Sequence, residues 1–181
     1  MRRLIKKYKS VIRFVILFLG TYMVLGILYS VYLNASENST YFPDFITNLV
    51  AKQSAAVLDG FGYNSVLRKD SLGQGVLLTI NNIYTVNVVE GCNSVSVIIL
   101  FISFIIAFAE KFKKTLLFLF AGGVLIYIVN IIRIAILTAA LYKYPRYEDI
   151  LHSVVFPGII YSMVFILWVI WIWLLKPNTY K

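Results

Sequence analysis

Residues 115–141 read TLLFLFAGGVLIYIVNIIRIAILTAAL, an unbroken apolar run that carries one formal charge, Arg133. About 20 such residues cross the hydrocarbon of a bilayer, so this run is a membrane span. An arginine held in that medium is costly unless it is paired or faces a wet cavity. Asn130 lies three positions earlier, on the same helix face, and can orient the guanidinium or hold a substrate group. The bland alternative is an arginine whose long stem snorkels to the interface.

Three more runs extend the pattern, at residues 11–33, about 93–109 and 151–175. Composition agrees: 60% of the 181 residues are hydrophobic and only 14% are charged, where soluble proteins carry about 25%. The expected fold class is an all-α integral membrane protein with four transmembrane helices and a small extracytoplasmic α+β insertion between spans one and two. The net charge of +9 could suggest nucleic acid. The lysines and arginines cluster beside the apolar runs instead, which points to the lipid bilayer as partner and to no nucleic acid. A secretory signal peptide competes for the first run, but that run is too long and lacks a small-x-small cleavage pattern. It is expected to remain as an anchor.

Charge sets the expected orientation. Residues 1–10 carry Arg2, Arg3, Lys6, Lys7 and Lys9, and Arg13 follows. The loop after span two carries Lys111, Lys113 and Lys114, and residues 176–181 carry Lys176 and Lys181. With four alternating spans all of these share one side, so the positive-inside rule puts both termini in the cytoplasm of a bacterial inner membrane. Residues 34–90 and the loop after span three then face the periplasm. Trp168, Trp171 and Trp173 fit an interfacial belt near the inner end of span four.

The outward segment has its own signals. Phe45, Ile46, Leu49, Val50, Val57 and Leu58 recur at helical spacing, with Asp44 as N-cap and Gly60 as stop. That helix is expected to lie on the membrane or on its own domain. Residues 76–80 and 83–88 are strand-like, and Asn81-Asn82 between them tolerates the positive φ of a hairpin turn. Residues 63–68 add a possible third strand.

Two more residues carry chemistry. Cys92 is the sole cysteine, so no intramolecular disulfide and no Cys-x-x-Cys redox or zinc site exists. It opens span two after Gly91, where Asn93 or Ser94 can cap the new helix. The positive end of that helix dipole favours a thiolate. His152, the sole histidine, opens span four from the same side. A Cys–His pair makes an activated nucleophile, and Arg133 can stabilise an oxyanion. The bland readings are a small buried thiol and an interfacial histidine. Glu90 could orient His152, pair with Arg133, or stand as a simple interfacial charge. Pro157 should kink span four, and Gly158 and Gly122-Gly123 suit close helix approach.

Glu90-Gly91-Cys92-Asn93 at the head of one span, Asn130-x-x-Arg133 late in the next, and His152 opening the last together resemble the exosortase/archaeosortase family. Length and span plan look closest to its short exosortase F type. The resemblance implies an integral-membrane cysteine peptidase or transpeptidase, with Cys92 as nucleophile, His152 as general base and acid, and Arg133 as oxyanion or substrate contact. Glu90, Asn93 and Asn130 would be supporting residues. Implied partners are exported proteins with C-terminal sorting signals, each a short motif, a transmembrane helix and a basic cluster. A surface acceptor receives the cleaved chain, and no cofactor or metal is needed. A different class of reading is a non-enzymatic membrane subunit that orients a partner in an export machine. A transporter fits poorly, because one buried cation without a buried carboxylate makes a weak ion relay.

Overall fold

The computed structural model describes residues 8–36, 41–70 and 75–175. The expected positive clusters at residues 1–7 and 176–181, and Glu37, lie outside the described residues. Helix α1 is Lys9–Ser36 and α2 is Phe45–Gly60; strands β1 (Ser65–Lys69), β2 (Gly75–Ile80) and β3 (Ile83–Val89) follow. A 3-10 turn, Glu90–Cys92, leads into α3, Val95–Ala107. Helix α4 is Phe112–Lys143, and a bent helical stretch from Pro145 ends in α5, Phe156–Leu175.

Three of these helices are long and apolar enough to cross a membrane: Lys9–Ser36, Phe112–Lys143 and Pro145–Leu175. The run expected as the second span forms only a 13-residue helix, about 20 Å long against roughly 30 Å of hydrocarbon. Its front end is taken up by the corner at residues 90–94, which is not α-helical. Helix α4 departs the other way. Its 32 residues reach about 48 Å, well beyond one hydrocarbon thickness.

The surplus length of α4 is used in packing. Ile134, Leu137 and Leu141 share one apolar core with Val50, Leu58, Leu78, Ile80 and Val88 of α2 and the sheet. A second core lies toward the other end of the bundle, with Phe101, Ile105, Ile126, Val164 and Trp171 fully or nearly buried. Gly122 makes this closeness possible, because a Cβ there would collide with the Phe101 ring. Gly123 and Gly158 differ from expectation: a Cβ at either would meet nothing within 4 Å, so neither mediates a close approach here. Of the three tryptophans near the end of α5, Trp168 stacks on Phe104 at 4.3 Å and Trp171 packs on Phe118 at 4.9 Å, offset and tilted ring pairs of the kind aromatic side chains prefer. Trp173 alone of the three is exposed, at 68%.

The segment between α1 and α3 follows its sequence signals. Asp44 caps α2, its Oδ1 accepting from Ile46 N–H and Thr47 N–H at 2.9 and 3.0 Å. Helix α2 buries Val50, Ala51, Ser54, Ala55 and Leu58, packed with α4 and the sheet in one core. Ser54 Oγ donates to the Ile131 carbonyl, and Tyr127 OH of α4 donates to Gln53 Oε1 at 2.6 Å. The strands form an antiparallel sheet in the order β1-β2-β3. The hairpin turns at Asn81 and Asn82, with φ of 51° and 63°, as a two-residue turn with the right twist requires.

Candidate active site

Chain direction turns sharply at residues 89–95. Strand β3 ends at Val89, the 3-10 turn carries Cys92, and Ser94 adopts φ 66° before α3 starts. A serine in the left-handed region is strained by about 1 kcal/mol or more. Its Oγ is buried without a hydrogen bond among the described residues, so outside contacts must hold the corner.

Two asparagines do so. Asn93, 1% exposed, accepts at Oδ1 from Val95 N–H at 2.9 Å, which makes it the side chain that caps α3. Ser94 holds the N-cap position but makes no side-chain cap bond. The two Nδ2 protons of Asn93 go to Tyr29 OH of α1 at 2.8 Å and to Thr47 Oγ1 of α2 at 3.0 Å. Asn130 of α4, also 1% exposed, donates from Nδ2 to the Cys92 carbonyl at 2.7 Å. Its Oδ1 accepts from Arg133 Nη1 at 3.2 Å. The expected i−3 partnership of Asn130 and Arg133 is therefore present, and it ends on the cysteine's own backbone.

Arg133 keeps spare donors. Its Nε is buried and unpartnered among the described residues. The titratable groups whose charge it feels are Cys92 and Tyr161. The thiol is half-buried against the core formed by α2, the sheet and α4. A guanidinium with a free N–H group near this corner can donate to an anionic oxygen.

His152 stands apart from this cluster. It is exposed, and no hydrogen bond joins it to Cys92 or Arg133 among the described residues. It sits in a π-helical turn, Leu151–Val155. Pro157 explains that turn: it offers no N–H to the preceding helical turn and crowds it, so the helix widens just before the proline. The neighbouring Leu151 and Phe156 anchor the stretch to the core that Cys92 joins. Glu90 lies on the α1 side of the corner, where it lines a hollow of about 180 Å³ with Ser30, Leu33 and Asn34. An apolar groove of about 750 Å³ between α2 and α4, lined by Val57, Leu58, Phe61, Ala135, Ala139 and Lys143 among others, contains none of these polar side chains.

Sequence reasoning missed Tyr29, Thr47 and Tyr161. Tyr29 and Tyr32 are polar tips spaced three apart in the last turns of α1, which marks a helix end needing partners. No local signal marks Thr47, because its partner is 46 positions away.

The family model for a transmembrane exosortase matches residues 7–174. The chain belongs to the transmembrane exosortase family. It is a membrane protein, mostly helical, as its long apolar helices require. Neither a curated protein nor a solved structure matches it. The matched span includes the Cys92 corner, the Asn130–Arg133 pair and the His152 turn.

Proposed function

We propose that this exosortase is a membrane cysteine transpeptidase that cleaves C-terminal sorting signals of exported proteins. The observation that carries the reading is the chain Arg133–Asn130–Cys92 carbonyl, which ties an unsatisfied guanidinium to the backbone of the sole cysteine. In the reaction the Cys92 thiolate attacks the scissile carbonyl carbon. Arg133 donates to the oxyanion that forms. The C–N bond breaks, the leaving amine takes a proton from the His152 imidazolium, and the substrate remains as a thioester on Cys92. His152 then takes the proton of a surface acceptor nucleophile, which attacks the thioester and frees the thiol. Glu90 is a supporting charge at the α1 side of the corner.

The helix lengths support an outward location for this chemistry. If α4 enters the hydrocarbon at Phe112, about 20 residues bring it out near Ile132. Asn130, Arg133 and the Cys92 carbonyl bonded to Asn130 then sit at the outer edge of the bilayer rather than near its middle. On this reading both termini are cytoplasmic, α3 makes a fourth, shorter crossing inside the bundle, and α2 and the sheet face the periplasm of an inner membrane. The basic tail of a substrate would stay on the cytoplasmic side while its cleavage site meets the thiol. The reading needs no metal or cofactor.

The test is processing of exported proteins that end in an apolar helix and a basic tail, in cells carrying wild-type protein or Cys92→Ala. Tail loss should fall by about 10⁴-fold or more in the variant, and a fully active variant would remove the nucleophile role. The unpartnered Arg133 Nε also favours a second reading, a non-enzymatic subunit that pairs with an acidic group of a partner helix. In that case an acidic-to-basic exchange in the partner would restore function lost in an Arg133→Glu variant, and Cys92 would be dispensable.

A further inference from the structure

We propose that Thr47 and Tyr29 are positioning residues for the Cys92 thiol, acting through Asn93, so that α2 and α1 together aim the nucleophile. The inference rests on the reading of Cys92 as the nucleophile and assigns a task to the segment between α1 and α3. Neither hydroxyl bonds Cys92. Both bond the next residue, whose amide is fully used: the Tyr29 and Thr47 hydroxyls accept from its Nδ2, and its Oδ1 accepts from Val95 N–H. The following residue, Ser94, is the strained one. A strained corner persists only where its surroundings over-determine it, and the Asn93 side chain hydrogen-bonds to two other elements.

Thr47 is itself placed by the cap of α2. Its N–H donates to Asp44 Oδ1 at 3.0 Å, and the same oxygen accepts from Tyr32 OH of α1 at 3.1 Å. Asp44 is fully buried. The path from α1 to the corner therefore runs twice, directly through Tyr29 and through Tyr32, Asp44 and Thr47. Asn130 holds the Cys92 carbonyl from the side of α4. With one residue held from α4 and the next from α1 and α2, the Cα–Cβ direction of Cys92 is fixed between them. A structural staple could sit anywhere between these helices. This one acts on the residue after the cysteine.

The sole cysteine makes the test direct, because every thiol label reports on Cys92. Full-length protein in native membranes would carry Thr47→Val, Thr47→Ser or Tyr29→Phe. Two rates are read: labelling of Cys92 by a water-soluble maleimide, and processing of an exported protein with a C-terminal helix and basic tail. Thr47→Val keeps the shape and removes the acceptor. It should change the labelling rate and lower processing by about tenfold, the scale of one lost buried hydrogen bond. Thr47→Ser keeps the acceptor and should return both rates to within about twofold of wild type. Tyr29→Phe should move both rates in the same direction as Thr47→Val.

Wild-type rates in Thr47→Val and Tyr29→Phe would overturn the proposal. Equal loss in Thr47→Ser and Thr47→Val would also overturn it, since the methyl rather than the hydroxyl would then matter. If Thr47→Val fails to accumulate, Tyr29→Phe decides, because it removes one hydroxyl contact to Asn93 and no volume from α2. Labelling that shifts as expected while Cys92→Ala still processes substrate would leave the positioning intact and sink the catalytic reading instead.

Discussion

The two halves of the proposed catalytic pair are built in opposite ways. Cys92 sits in a corner where side chains from α1, α2 and α4 converge, and each amide group of Asn93 and Asn130 has a partner. His152 sits on a widened helical turn, exposed and without a hydrogen bond among the described residues. Cys92 is held from three elements, whereas the turn that carries His152 is tied to the core through Leu151 and Phe156. Such asymmetry suits an enzyme whose substrate is itself a membrane helix: the fixed group sets the cleavage position, and the exposed one leaves an opening for the substrate.

The comparison breaks most sharply at His152. His152→Ala should lower processing by about 10²- to 10⁴-fold, the usual worth of a general acid–base group. Its thermal midpoint in detergent should stay at the wild-type value, because the side chain supports nothing else. A large fall in stability would mean that the turn is as tightly built as the corner. A sharper version uses His152→Cys in the wild-type background. Mild oxidation should form a disulfide with Cys92 only if the turn can bring the two Cα atoms within about 7 Å.

Arg133→Lys comes next. The ammonium keeps the charge but loses the planar fork that bonds Asn130 and still offers donors. Processing should fall by about 10²-fold with maleimide labelling of Cys92 retained. An unchanged rate would show that only the charge matters.

Asn93→Ala should act on stability and activity together. It leaves Val95 N–H and two hydroxyls without their partner, at a cost of about 3 kcal/mol, read as a lower denaturation midpoint. If stability held while activity fell, the corner would be less dependent on its clamp than its geometry implies.

The smallest effects separate two glycines that look alike in sequence. Gly122→Ala drives a methyl into the Phe101 ring and should cost about 1–3 kcal/mol. Gly158→Ala meets open space and should stay within about 0.5 kcal/mol. Equal costs would refute the packing described for the core around Phe101.

Much of the molecule was legible from local chemistry. Asp44 capped α2, and Asn81-Asn82 fixed the hairpin, because caps and positive-φ turns are decided by residues within a few positions; α2 does end at Gly60, but the left-handed glycine after it is Gly62. The Asn130–Arg133 bond was readable for the same reason, being one helical turn in extent. The length of α3 was not, since an apolar run does not reveal where a corner cuts into it. Nor was the stacking of Trp168 or the burial of Trp171, which depends on rings from two other helices.

By itself the sequence determined a membrane protein of long apolar helices, with one thiol, one imidazole and one guanidinium set in an otherwise uncharged apolar run. Hydropathy, charge and local spacing suffice for that, because each acts along the chain. Only the tertiary structure decided what surrounds those groups. It joined Arg133 to the Cys92 carbonyl through Asn130, tied Asn93 to Tyr29 and Thr47 across 64 and 46 positions, and left His152 outside the network. Contacts of that range depend on how helices and sheet pack against one another, and no local pattern encodes them.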